Sequence, residues 1–167
     1  YILGNIPTNN QWNYTIGAVY KHFGKNNFIT GVVSRNMLNN EAEKYYQNDD
    51  SNPDNLVLNY KSQEIENKFR LENNFYKKGL KVNYGAGYEF VKYNNSTFNE
   101  QADPEGNIYT IDFTSEIKFS KYALFGQLTY PFFERRLVLS AGLRTDFNNY
   151  SAEMSNPLKQ LSPRFSA

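Results

Sequence analysis

The side chains able to do chemistry are few in kind. The 167 residues include no cysteine and one histidine, His22. A thiolate nucleophile, a disulfide framework and a multi-histidine metal site within the chain are therefore excluded. What remains is carboxylates spaced closely with cations. Arg144 and Asp146 stand at i and i+2 and fall on the same predicted inner face. They could contact a plug-like partner or line a ligand path, but a structural ion pair is the stronger reading. Glu64, Glu66 and Glu72 with Lys68 and Arg70 form a charge ladder on one strand face, whereas acid–base catalysis needs groups converging from several elements with perturbed pKa values. Asp49, Asp50 and Asp54 offer oxygen ligands for calcium, yet the spacing is not that of an EF-hand, and a solvated acidic loop explains them better. Gly85, Gly87 and Gly126 precede no helix, so they make no phosphate loop; glycine in a strand instead marks a bend or a close approach. No catalytic residue, metal or cofactor is expected, and no ligand-binding residue can be singled out.

These side chains need elements to hold them, and the elements read as strands. From Trp12, the positions Trp12, Tyr14, Ile16, Ala18 and Tyr20 are apolar while Asn13, Thr15, Gly17, Val19 and Lys21 are mostly polar or small. His22 continues the apolar phase at the edge of a turn, as an interfacial residue would. From Leu80, six apolar positions (Leu80, Val82, Tyr84, Ala86, Tyr88, Phe90) interleave with Lys81, Asn83, Gly85, Gly87 and Glu89. A period of two is the mark of a strand with two unlike faces. Ile65, Phe69, Leu71 and Phe75 form another such set, interrupted by Asn67 and Asn73. Leu137, Leu139, Ala141, Leu143 and Phe147 form a further set, opposed to Ser140, Gly142, Arg144 and Asp146. Segment 27–38 is strand-like but ambiguous in phase. In 108–130 the apolar phase changes between Phe119 and Tyr122, which predicts a β-bulge or bend.

The connections alternate short and long: 23–27, 76–79 and 131–135 are short, whereas 39–55, 94–107 and 148–157 are long and rich in Asn, Asp, Ser and Glu. The fold class expected is all-β, an antiparallel up-and-down meander of six strands plus the start of a seventh at Leu158–Ala167, forming one domain over 1–167. The 14 Tyr and 13 Phe sit oddly beside a mean hydropathy of −0.71 and a net charge of +1. A transmembrane β-barrel reconciles them, because its strands turn apolar residues to lipid and polar residues to a wet lumen, with aromatic girdles at both interfaces. On that reading Lys81, Asn83, Glu89, Arg144 and Asp146 face the lumen. Six strands and a fragment would leave bare edges that lipid does not tolerate, so the chain is expected to be part of a larger wall. The opening Tyr1-Ile-Leu-Gly4, which lacks any leader, agrees with a piece of a longer protein. The alternative is a soluble antiparallel sheet, a sandwich or lipocalin-like cup, with the same apolar face turned inward as its core. The balanced charge gives no sign of a nucleic-acid partner.

Three segments carry a resemblance. Tyr122-Ala-Leu-Phe-Gly-Gln-Leu-Thr-Tyr130, Arg136-Leu-Val-Leu-Ser-Ala-Gly-Leu-Arg-Thr-Asp146 and Leu161-Ser-Pro-Arg-Phe-Ser166 resemble consecutive barrel strands of TonB-dependent outer-membrane receptors, particularly those of Bacteroidota. The resemblance implies a 22-stranded barrel in the outer membrane of a Gram-negative bacterium, in contact with its lipid and occluded by a plug domain. It also implies active import of a scarce nutrient (an iron chelate or siderophore, cobalamin or a glycan), driven through the TonB complex. Neither a plug nor a TonB box is recognisable in this sequence. In a bacterial protein the glycosylation patterns Asn13-Tyr14-Thr15 and Asn95-Ser96-Thr97 are chance matches.

Overall fold

The computed structural model describes residues 6–167; the opening Tyr1–Gly4 lies outside them. Seven strands follow in order: β1 (Thr8–Phe23), β2 (Asn27–Tyr45), β3 (Leu56–Lys77), β4 (Leu80–Ala102), β5 (Ile108–Phe132), β6 (Leu137–Asn148) and β7 (Leu161–Ser166). They form one sheet in which each strand pairs with its neighbours in sequence. This is the up-and-down meander that the alternation and the connections predict.

The first six strands are longer than the ~9–11 residues that cross a bilayer, whereas β7 has 6. β3, β4 and β5 have 22, 23 and 25 residues, while β6 has 12. The predicted excursions shrink accordingly. Residues 39–45 belong to β2 and 94–102 to β4, leaving connections at 46–55, 103–107 and 149–160. The polarity that suggested loops belongs to paired strands, because side chains there bond along the strand. Thr97 Oγ1 donates to Asn95 Oδ1 at 2.8 Å, and Asn39 Nδ2 donates to Glu41 Oε1 at 3.3 Å. At the other rim β5 runs on to Phe132, and the seventh strand begins at Leu161 rather than Leu158.

Each short connection has its own backbone solution. Lys78 and Gly79 both take positive φ (47° and 86°), the type I′ combination that matches the twist of a tight hairpin. Phe133, Glu134 and Arg135 take φ of 50°, 56° and 71° in succession, and Arg136 N–H donates to the Phe133 carbonyl at 3.1 Å.

The chain divides into two compact units. A loop-side unit contains residues up to Thr15, 36–65 and 92–117, and a turn-side unit contains 16–35, 66–91 and 118–167. Among the described residues no apolar side chain is buried, whereas Ser62, Asn74, Ser120 and Thr145 are. The soluble cup or sandwich fails here. Such a fold needs a buried apolar layer, and the strands form one sheet in which the described residues bury none.

The predicted bulge near Phe119 is absent. β5 is continuous, and even-numbered residues of β4 and β5 share a face on both sides of the phase change. Lys92 Nζ meets Glu116 Oε2 at 2.8 Å, and the hydroxyls of Tyr88 and Ser120 lie 3.1 Å apart. The backbone keeps its register while the apolar pattern changes face. Tyr109, Ile111, Phe113 and Ile117 have the phase that further along β5 carries Lys121.

Candidate functional site

In the turn-side unit, strand pairing sorts the residues into two faces. β5 and β6 pair from Lys121↔Asn148 to Phe132↔Leu137 without a break. Tyr122, Leu124, Leu128 and Tyr130 therefore lie opposite Phe147, Thr145, Ala141 and Leu139 on one face. Ala123, Phe125, Gln127 and Thr129 lie opposite Asp146, Arg144, Gly142 and Ser140 on the other. The alternation in sequence has become an apolar face and a polar face.

The apolar face carries aromatics at two levels. Tyr88 packs on Tyr122 with ring centroids 5.4 Å apart, and Tyr122 stacks on Phe147 at 5.1 Å. Near the short turn, Tyr130 meets Phe132 edge-on at 5.0 Å. Tyr122 and Phe132 are about ten residues apart, ~33 Å along a strand. A tilt of ~35–45° reduces that to roughly 25 Å, the height of the apolar band in an outer-membrane barrel. Between the two levels Leu124, Leu128 and Leu143 are half exposed, at 50%, 53% and 50%.

The interruptions of the apolar face are satisfied by partners on that same face. Asn73 Oδ1 accepts from Asn27 Nδ2 at 3.2 Å while its Nδ2 donates to the Tyr84 hydroxyl at 2.8 Å. Asn67 Oδ1 accepts from Arg35 Nη1 at 3.1 Å. His22 is exposed, in phase with Tyr20.

On the polar face, Lys68, Arg70, Glu89, Lys121, Phe125 and Arg144 help to line a concavity of about 430 Å³, with Met154 and Asp146 at its side. Lys121 Nζ donates to Glu89 Oε1 at 2.8 Å, and Lys68 Nζ lies 2.5 Å from Glu66 Oε2. The Arg144 guanidinium meets Asp146 in a two-pronged bond, Nε and Nη2 donating at 2.6 and 2.7 Å. Phe125 is a large apolar side chain on this face, and Gly85 admits it. A Cβ at Gly85 would come within 2.8 Å of the Phe125 ring and 2.4 Å of the Leu71 carbonyl oxygen. The close approach read from the sequence at Gly85 is thus to a neighbouring strand and its ring. Gly126 has nothing within 4 Å of a built Cβ.

Of the five residues expected to share an inner face, Glu89, Arg144 and Asp146 line this concavity. Asn83 lies in a separate network on the same face of β4, donating at 2.7 Å to both Glu72 and Asn74. Glu72 also takes a bond from Arg70. Lys81 stands over the Tyr76 ring at 5.7 Å. The charge ladder is resolved into local pairs, Glu66 with Lys68 and Arg70 with Glu72. The sequence reading did not single out Lys121, Phe125 or Met154. The first two have the phase of Ala123 and Gln127, a signal hidden by the presumed bulge.

The loop-side unit holds a different polar set. The Tyr60 and Tyr93 hydroxyls lie 3.5 Å apart, with Asn95 Nδ2 donating to Tyr93 at 3.3 Å. The connection 103–107 is closed by Asp103, whose carboxylate accepts from the backbone N–H and side chain of Asn107 at 2.7 and 2.9 Å. These bonds, the Asn107 side chain first, hold its pKa below the usual carboxylate range. Asp49 is held low in the same way, chiefly by the Ser51 hydroxyl at 2.6 Å. Asn55 also donates to it at 3.1 Å. The acidic loop residue considered for calcium is thus committed to its own loop, and among the described residues no group of three or more candidate metal ligands gathers.

No helix among the described residues is long and apolar enough to cross a membrane, which leaves strands untested as a route. Comparison with curated proteins and with solved structures returned no match. The family model described as TonB dependent receptor-like, beta-barrel, matches residues 2–167. An outward apolar band between two aromatic levels and a charged opposite face are what such a wall requires, and the chain belongs to the TonB-dependent receptor β-barrel family of outer-membrane nutrient importers.

Proposed function

We propose that this chain forms part of the barrel wall of a receptor that imports a scarce nutrient, an iron chelate, cobalamin or a glycan, across a Gram-negative outer membrane. The observation that carries the reading is the pair of aromatic levels on one face, about one apolar band apart, with half-exposed leucines between them. Lys81, Asn83, Glu89, Arg144 and Asp146 then face the lumen. There their bonded pairs brace the wall and present charge to a plug supplied by another part of the protein. The Tyr- and Asn-rich strands and connections of the loop-side unit suit capture of a hydroxyl-rich or chelate substrate. Energy would come through TonB, acting on parts of the receptor outside this chain, and the wall itself performs no catalysis.

The test is growth of a strain carrying the full receptor on a limiting nutrient, with the 46–55 and 103–107 connections replaced by short turns. The expected result is lost uptake with the barrel still folded and present in the outer membrane. Unchanged uptake of every nutrient that the receptor supports would overturn the role of these loops.

A further inference from the structure

The concavity on the polar face of the turn-side unit is uneven in charge. Among the described residues that line it, four cations (Lys68, Arg70, Lys121, Arg144) stand against two acids, Glu89 and Asp146. Glu66 and Glu72, which hold Lys68 and Arg70, lie outside the lining. Asp146 is committed to Arg144 through both oxygens, and Glu89 Oε1 to Lys121. The cations keep donors in reserve. Arg144 gives Asp146 two of the five hydrogens on a guanidinium. Lys121 gives Glu89 one of the three on an ammonium and lies 5.5 Å from the centre of the Phe119 ring.

The apolar part of the concavity is fixed in place. The Phe125 ring sits against Gly85, and a Cβ built at Gly87 would lie 3.4 Å from that of Ala123, so small residues leave the ring beside open space. Met154 comes from the connection 149–160, which is tied to the strands. Asn148 N–H donates to the Met154 carbonyl at 3.0 Å, Asn149 N–H to the Ser120 carbonyl at 3.2 Å, and the Thr145 hydroxyl to the Pro157 carbonyl at 2.6 Å. Glu89, Lys121 and Asp146 adjoin Tyr88, Tyr122 and Phe147 in sequence, which sets the concavity at the aromatic level beside that connection.

We infer that this concavity receives an anionic chelate bearing planar aromatic rings, with its negative oxygens on Lys121 and Arg144 and a ring against Phe125 and Met154. The inference rests on the import reading above and chooses among its nutrients. A neutral glycan or cobalamin would leave the cations unused, and an anion without rings would leave Phe125 and Met154 without a partner. A ring-bearing anion uses both.

The test is equilibrium dialysis of the full receptor in detergent against four probes: the ferric complex of a synthetic tricatecholate, ferric citrate, an uncharged ferric trihydroxamate and maltohexaose. The wild type should hold the tricatecholate most tightly. Lys121→Gln and Arg144→Gln should each weaken it by about tenfold, the scale of one charge-assisted hydrogen bond, and leave the trihydroxamate unchanged. Met154→Gln, in the connection, should weaken the tricatecholate and spare citrate, while Lys25→Gln, in the β1–β2 turn, should alter neither. Heat-modifiable migration on a gel verifies that each variant is folded. Folded Lys121→Gln and Arg144→Gln receptors that keep full affinity for the tricatecholate overturn the proposal, as does a wild type that prefers an uncharged probe or holds none. An equal loss for every probe, as bracing of the wall or docking of a plug would give, overturns it as well. Each of these results leaves the import reading standing, because that reading is decided by uptake in the growth experiment.

Discussion

Arg144 and Asp146 pair with good geometry, yet their side chains remain 46% and 57% exposed. Ion pairs that water can reach contribute ~0–1 kcal/mol. A double-mutant cycle of Arg144→Gln and Asp146→Asn, followed by urea unfolding of the barrel in vesicles, should return a coupling below about 1 kcal/mol. A larger value would mean that a plug or another strand removes water from the pair. Asp103 makes a separate prediction about pH. Its folded pKa lies below the unfolded one, so its contribution to closing residues 103–107 is fully present above the ordinary carboxylate range. It is lost as pH falls through the depressed folded value. In the folded barrel, NMR of the Asn107 amide should show the bond to Asp103 surviving at pH values where a free aspartate is already half protonated. Loss of the bond within the ordinary range would contradict the geometry.

At the scale of the elements, Gly85 is where a single methyl group is costly. Its Cβ would strike both the Leu71 carbonyl and the Phe125 ring, and backbone cannot swing aside as a flexible side chain can. Gly85→Ala should destabilise the folded barrel by about 1–3 kcal/mol, whereas Gly126→Ala, with open space around it, should cost less; equal costs would refute the close packing. In the β5–β6 turn, three successive non-glycine residues hold positive φ, at ~1–2 kcal/mol each relative to right-handed backbone. Arg135→Gly should therefore stabilise, and slower urea unfolding would show it. The strands themselves were legible because period-two alternation survives in Leu80–Phe90 and Leu137–Phe147 wherever the two faces meet unlike surroundings. Strand ends were not. Asn95, Ser96 and Thr97 have loop chemistry but sit in β4, since a strand polar on both faces loses the contrast that alternation reads. The same limit hid the concavity on the polar face. The change of phase at Phe119 looked like a backbone irregularity, so Lys121 and Phe125 were not placed on the face of Arg144. In fact the register holds, and the side-chain pattern changes instead.

For the whole molecule, the question is what covers the apolar face, since the described residues bury no apolar side chain of their own. Two environments could cover it, lipid or a second protein layer, and they respond differently to charge. Leu128 and Leu143 lie between the aromatic levels, Leu143 opposite Gly126 in the register. If lipid covers them, Leu128→Arg and Leu143→Arg should each cost about 2–4 kcal/mol near the middle of the band. The penalty should fall toward ~0–1 kcal/mol when arginine is placed at Tyr122 or Phe132, beside the interfaces. Gln127→Arg, on the polar face, should be nearly neutral. A protein layer would give no such profile with depth, because the penalty would follow local packing rather than distance from the nearest girdle. Unfolding the full receptor in vesicles of two acyl-chain lengths separates the cases. In thicker bilayers the costly zone should widen around Leu128 and Leu143, and a profile that ignores bilayer thickness would refute the assignment of this face to lipid.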